Sequence, residues 1–263
     1  MHENLKYYGE LIIIELQRKI DVIEKKYREW NKVDILIESS DYIQFLSDLL
    51  HSSNQEIIGY LKEFKSCKKF REKFQPSLIT LENQFKDNSG DLRLHSLSIY
   101  CAVRAFKPFL MIETGVASGK SSSLALLAME HNNKGKLISI DLPNRQGNLL
   151  SDGSITSTGD QAVGWMVPSY LRHRWDLVLG DSLEKLPEIA KNNKIDIFFH
   201  DSLHTKEHTM MEIEIIKNSL VNDALILVDD INMGAGEAFD DFLQDNSLKG
   251  LAFRDFAGVR FNG

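Results

Sequence analysis

The stretch from Phe109 to Ser122 constrains the fold more than any other part of the chain. Phe109 to Ile112 is an apolar run that reads as a buried strand, and Glu113 closes it. Gly115 and Gly119 then make a turn, and the small and aliphatic residues from Ser121 to Met129 read as a helix. Strand, glycine turn and helix in that order present backbone N–H groups and a helix N-terminus to a ligand.

The rest of the C-terminal part repeats the alternation. Strands are expected over 109–114, 136–141, 175–179, 195–200 and 224–228, with helices between them. That pattern means a parallel sheet covered on both faces. Two short strands at 249–254 and 257–262, joined near Ala257 and Gly258, add an antiparallel edge. A polar, glycine-containing loop over 143–161, continuing to Tyr170, is long for a strand-to-helix connection and suggests a cover over an active site.

The N-terminal part reads as helical. Leu5, Tyr8, Leu11, Ile12, Leu16, Ile20, Ile23, Tyr27 and Trp30 recur at steps of three and four, the mark of an amphipathic helix. Homo-oligomerisation and packing on its own domain explain that face equally well. More helix is expected over 40–51, and the capping box Ser53 to Glu56 opens another over 54–66. The short basic run within Ser66 to Lys73 reads as a solvated helix face. Pro76 and the polar stretch 86–91 are the linker candidates, which divides the chain into a helical region, 1–90, and a domain, 91–263.

Composition narrows the function classes. With 43% apolar residues the 263-residue chain can bury a sizeable core. A net charge of -7 argues against a nucleic-acid phosphate backbone as partner. Cys67 and Cys101 lack metal-ligand spacing, which fits a reducing compartment. No run approaches the about 20 apolar residues that span a bilayer. The expectation is a soluble cytoplasmic protein without a membrane partner.

In a parallel sheet, ligands bind beyond the carboxyl ends of the strands. Those positions hold Glu113 and Gly115, Asp141, Asp181, Asp201, and Asp229 with Asp230, an acid after every parallel strand. Two ligands compete for the glycine loop. Gly119-Lys120-Ser121 ends like a phosphate-binding loop, but Thr114 stands where its first glycine belongs, and so many carboxylates make a poor triphosphate site. An adenosyl ligand with a cationic end fits the acids better. Asp141 can accept from ribose hydroxyls and Asp181 from an adenine amine. Glu113 can hold the ligand's amino group or a backbone amide, and Ser121 with the helix N–H groups can hold a carboxylate.

The ordered set Glu113 to Gly119, Asp141, Gly180-Asp181-Ser182 and Asp201 resembles the successive motifs of class I S-adenosylmethionine-dependent methyltransferases, over about residues 92–263. Gly164 to Pro168, His200 to His204 and Val228 to Ile231 resemble a bacterial small-molecule O-methyltransferase subgroup related to the macrocin and catechol enzymes. The resemblance implies an α/β, Rossmann-like, mostly parallel seven-stranded sheet with a C-terminal antiparallel hairpin, preceded by a helical N-terminal region. It implies S-adenosylmethionine held by Glu113, Gly115, Ser118, Gly119, Ser121, Asp141, Asp181, Ser182 and Asp201, and a small-molecule hydroxyl, on a sugar or natural-product intermediate, as acceptor. It also implies Mg²⁺ on Asp201, Asp229 and Asp230. Hard carboxylate oxygens suit that ion, and it acidifies a bound hydroxyl. The alternative for these acids is contact with the ligand's methionine end and capping of the next helix. His204, three residues after Asp201, is placed to take the proton. Trp165, Met166 and Tyr170 line an acceptor pocket or shield the sulfonium from water, or else Trp165 anchors the loop to the core. A phosphate-loop kinase or NTPase, and a non-catalytic cofactor-binding assembly protein, remain as rivals.

Overall fold

The structure, a computed structural model, describes residues 30, 32–85, 94–143, 148–149, 155–156 and 161–262. The amphipathic segment at 5–29, the polar stretch 86–91 and most of the loop 143–161 lie outside the described residues.

After helical residues 32–38, three helices form the N-terminal layer: α1 (Ser40–Leu50), α2 (Asn54–Ser66) and α3 (Lys68–Phe85). Helix α2 opens on the expected capping box, with Ser53 and Glu56 each accepting from the other's backbone N–H. Pro76 sits inside α3 rather than in a linker, a correction to the reading of it as a break. A proline costs a helix one backbone hydrogen bond, and here Phe70, Phe74 and Leu78, all fully buried or nearly so, hold the helix by packing around it.

Helix α4 (Leu94–Phe106) leads into the alternation: β1 (Leu110–Thr114), α5 (Lys120–Asn132), β2 (Lys136–Asp141), a two-residue pair β3 (Asn148–Leu149) and β4 (Ile155–Thr156), a 3₁₀ turn at Ser169–Arg174, and β5 (Trp175–Leu179). Then come α6 (Ser182–Lys191), β6 (Ile195–His200), α7 (Lys206–Lys217), β7 (Leu220–Val228), α8 (Gly234–Asp245), β8 (Leu251–Phe253) and β9 (Phe256–Phe261). The main sheet has seven strands in the order β5-β2-β1-β6-β7-β9-β8. The first five are mutually parallel, β9 runs antiparallel to β7, and β8 antiparallel to β9. The closing turn falls at Arg254 and Asp255, so Ala257 and Gly258 lie within β9 instead of joining the hairpin.

Side chains alternate between two cores, as the strand period of two requires. Met111, Leu137, Ile197, Phe199, Leu225 and Leu227 face one core with residues of α1 to α5; Ile112, Ile140, Phe198, Ile226 and Val228 face the other with α6, α7 and α8. Helix α5 is buried from Ser121 to Met129, which is why it carries no polar face. The chain turns from β1 to β2 on one side and reaches β6 on the other, so the carboxyl ends of β1 and β6 flank a topological switch point.

Candidate active site

The glycine loop after β1 is held from both sides. Asp141, at the end of β2, accepts from the backbone N–H groups of Val116 and Ala117 through one oxygen, at 2.9 and 2.7 Å, and from Leu142 through the other, at 2.6 Å. Burial pushes its carboxyl up, and these three bonds offset only part of that rise. Of about four acceptor sites on a carboxylate, three are taken, which leaves room on Oδ1 for one ribose hydroxyl rather than two. The same bonds occupy the amides that a phosphate would need. On the other side, Gly115 has φ +81° and a Cβ there would lie 1.8 Å from the carbonyl oxygen of Asp201. The loop therefore rests directly on the backbone that follows β6.

Glu113 points into the protein, not toward the open edge. It is fully buried and accepts from Ser121 (2.6 Å), Ser122 (2.6 Å) and Ser139 (2.7 Å). Burial pushes its carboxyl up to about 7 in spite of those three hydroxyls. The expectation that Glu113 and Ser121 both reach the ligand is thereby corrected: each satisfies the other, and together they tie β1 to the first turn of α5. Trp175 Nε1 donates to Ser139 at 2.9 Å, extending the tie to β5.

A second buried carboxylate, Glu212 of α7, organises the next strand end. It accepts from Thr114 (2.7 Å) and Ser202 (2.9 Å) and lies 2.8 Å from His200 Nδ1 and 3.0 Å from His208 Nε2. Burial alone would raise its pKa, yet the bonds to His200 and His208 and the His200 charge hold it well below the usual carboxylate range. Ser182 joins this network through His208 at 3.1 Å, so its hydroxyl turns toward α7 rather than toward an adenine site. Asp181 is exposed and caps α6, accepting from Leu183 N–H at 2.8 Å.

Beyond β6 and β7, acids and histidines converge. His204 Nε2 lies 3.7 Å from Asp201 Oδ1 and 3.9 Å from Asp230 Oδ2, with the histidine largely buried. Asp229 is 3% exposed, and its Oδ2 lies 3.1 Å from Nδ1 of His95, on the first turn of α4. Its Oδ1 has no hydrogen-bond partner among the described residues. Burial, then the charges of Asp201, Asp230 and Asp255, push the Asp229 carboxyl well up. Among the described residues, the group that could hold a cation is His95, Asp201 and Asp229, whose ligand atoms lie within 4.8 Å of one another. This group shares Asp201 and Asp229 with the expected set of Asp201, Asp229 and Asp230, and brings in His95. Asp230 has φ +51°, where the chain leaves the strand, and its carboxylate faces His204, as that of Asp201 does.

The Gly164 to Pro168 segment braces the glycine loop from behind. Gly164 N–H donates to Ala117 (2.9 Å) and Met166 N–H to Ser118 (3.0 Å), and Arg172 reaches the carbonyls of Val167 and Gly164. A Cβ on Gly119 would sit 2.8 Å from Gly164 Cα, so Gly119 serves this contact. Met166 and Val167 enter the core, and Trp165 and Tyr170 pack against it. These side chains anchor their segment, the second of the two roles left open for Trp165. They border a separate cavity of about 460 Å³ against Lys73 and Ser77 of α3.

His95 went unread in the sequence. It belongs to no motif, and its one signal is a histidine in a stretch of α4 whose neighbours from Ser96 to Val103 are all buried. Among the described residues no helix is long and apolar enough to cross a membrane.

Comparison with known proteins agrees with this geometry. Residues 112–231 match a family model described as a methyltransferase domain. Three crystal structures share the fold. The methyltransferase PaMTH1 of Podospora anserina, with SAH bound, is 15% identical (TM-score 0.52; 74% of this chain and 88% of that one). TomG of Streptomyces achromogenes, an O-methyltransferase involved in tomaymycin synthesis and solved with SAM, is 13% identical (0.53; 72% and 89%). An O-methyltransferase from Bacillus cereus in complex with SAH is 12% identical (0.51; 83% and 96%). No curated protein matches the sequence. Strand order, glycine loop and family match together make residues 112–231 similar to a methyltransferase domain.

Proposed function

We propose that the protein transfers a methyl group from S-adenosylmethionine to a hydroxyl of a small molecule, a sugar or natural-product intermediate. The observation that carries this reading is His204, set between Asp201 and Asp230 where the ends of β6 and β7 meet the glycine loop. S-adenosylmethionine supplies an electrophilic methyl group, and a divalent cation, when bound, acidifies the acceptor hydroxyl.

The chain's own residues do the rest. Asp141 fixes the glycine loop and keeps one acceptor site for a ribose hydroxyl. Asp181, exposed at the end of β5 where it caps α6, takes the adenine amine in this reading. His204 removes the hydroxyl proton, and the positive charge it gains is stabilised by two carboxylates within 4 Å. Asp201 and Asp229 fit a cation: one buried carboxylate oxygen lacks a partner, and crowded acids repel one another until a cation joins them.

The test is turnover on a panel of hydroxylated acceptors, followed by release of S-adenosylhomocysteine. Replacing His204 with Ala is expected to lower kcat by about 10²-fold or more, with S-adenosylhomocysteine affinity changed by less than about threefold, since no part of the proposed cofactor cradle is removed. Equal loss of both, or loss of neither, sinks the base assignment.

A further inference from the structure

We propose that His95, contributed by the helix ahead of the methyltransferase domain, is a nitrogen ligand in the cation site and shifts that site's preference from magnesium toward borderline ions such as Co²⁺ or Zn²⁺. The proposal rests on the methyltransferase reading for its purpose but on its own geometry for its content.

Three observations carry it. His95 Nδ1 stands 3.1 Å from Asp229 Oδ2. Neighbouring ligands at about 2.1 Å from one ion are separated by roughly that distance. The third ligand atom, from Asp201, lies within 4.8 Å of both. Finally, Asp229 Oδ1 is buried with no hydrogen-bond partner, so the carboxylate has an oxygen to give.

The histidine is also held in place. It is 7% exposed, and its ring lies roughly parallel to that of Phe199, a β6 residue, with centroids 6.5 Å apart and planes at 26°. A ring fixed by packing and aimed at a carboxylate loses little entropy when a cation joins the pair. One imidazole with two carboxylates differs from an all-oxygen set. Imidazole favours Zn²⁺, Co²⁺ and their neighbours, whereas Mg²⁺ prefers oxygen.

The test uses the full chain, stripped with chelator and titrated with Co²⁺ by visible absorption and with Mg²⁺ by calorimetry. Any site binds Co²⁺ more tightly than Mg²⁺, so the informative quantity is the ratio of affinities compared between variants. His95→Asn exchanges a nitrogen ligand for an amide oxygen. It is expected to weaken Co²⁺ about tenfold or more, to shift the Co²⁺ absorption band, and to change Mg²⁺ by less than about threefold. Asp229→Asn is expected to abolish binding of both ions, which separates this site from adventitious surface histidines. S-adenosylhomocysteine affinity, measured on the same samples, is expected to hold in both variants and reports that they are folded. An unchanged Co²⁺ to Mg²⁺ ratio in His95→Asn, or a wild-type chain that binds S-adenosylhomocysteine but neither metal, overturns the proposal and leaves the methyltransferase reading standing. Failure to bind S-adenosylhomocysteine alongside normal metal binding would instead count against that reading.

Discussion

At the scale of single residues, the acids at the strand ends divide into two kinds. Glu113 and Asp141 brace the glycine loop: one accepts from three serine hydroxyls, the other from three backbone amides with one acceptor site left over. Asp201, Asp229 and Asp230 crowd one another around His204 and His95, and the proposed chemistry uses that cluster. Gly115 joins the two sets, because its missing Cβ lets the glycine loop lie on the Asp201 carbonyl. Gly115→Ala is expected to destabilise the fold by about 3 kcal/mol and to weaken S-adenosylhomocysteine binding at least about tenfold, since a steric overlap moves both the loop and Asp201. Chemical denaturation and calorimetry measure the two effects. Unchanged values would mean that the loop does not rest on Asp201 in solution.

At the scale of elements, strands and helices of the alternating half were legible because their signals are local. The runs at 110–114, 136–141 and 195–200 are apolar, end in polar residues and are separated by helical stretches. What was not legible is which way a strand-end side chain turns. Glu113 and Asp201 have the same character in sequence, and it is Ser121 and Ser122 in the first turn of α5, with Ser139 of β2, that draw the first inward. The same holds for Trp165 and Met166, where an aromatic near a loop fits a lid or an anchor until its packing is known. His95 was invisible because its partner Asp229 lies far along the chain, and no spacing encodes that contact. Helix α1 shows how the N-terminal layer meets the sheet. Phe45 stacks on Phe253 with ring centroids 5.8 Å apart and meets Phe256 edge-on at 6.4 Å, while Arg260 reaches the Leu50 carbonyl. Phe45→Ala is expected to cost about 3–5 kcal/mol and to lower the single unfolding midpoint of the whole chain. A second, separate transition in urea would show instead that α1 to α3 unfold independently of the sheet.

At the scale of the whole molecule, two buried carboxylates set opposite pH dependences. Glu113 has a folded pKa of about 7, above its unfolded value of 4.5. Its contribution is fully present below 4.5 and is lost as pH rises through 7, a change of about 3 kcal/mol. Glu212 is held below its unfolded value, so its contribution is present above 4.5 and is lost as pH falls. Stability without a metal is therefore expected to be highest in mildly acidic solution. Glu113→Gln is expected to flatten the decline between about pH 5 and 8, which thermal or urea unfolding across that range measures. A decline as steep as wild type's would assign it to other groups.

The central claim is that the glycine loop and its ring of acids hold S-adenosylmethionine rather than a nucleoside triphosphate. Its most direct test is calorimetric titration of the purified chain with S-adenosylhomocysteine, run beside ATP with Mg²⁺. Binding of S-adenosylhomocysteine in the micromolar range, weakened by Gly115→Ala, is expected, with no heat from ATP. Binding of ATP alone, dependent on Lys120, would contradict it and restore the phosphate-loop reading.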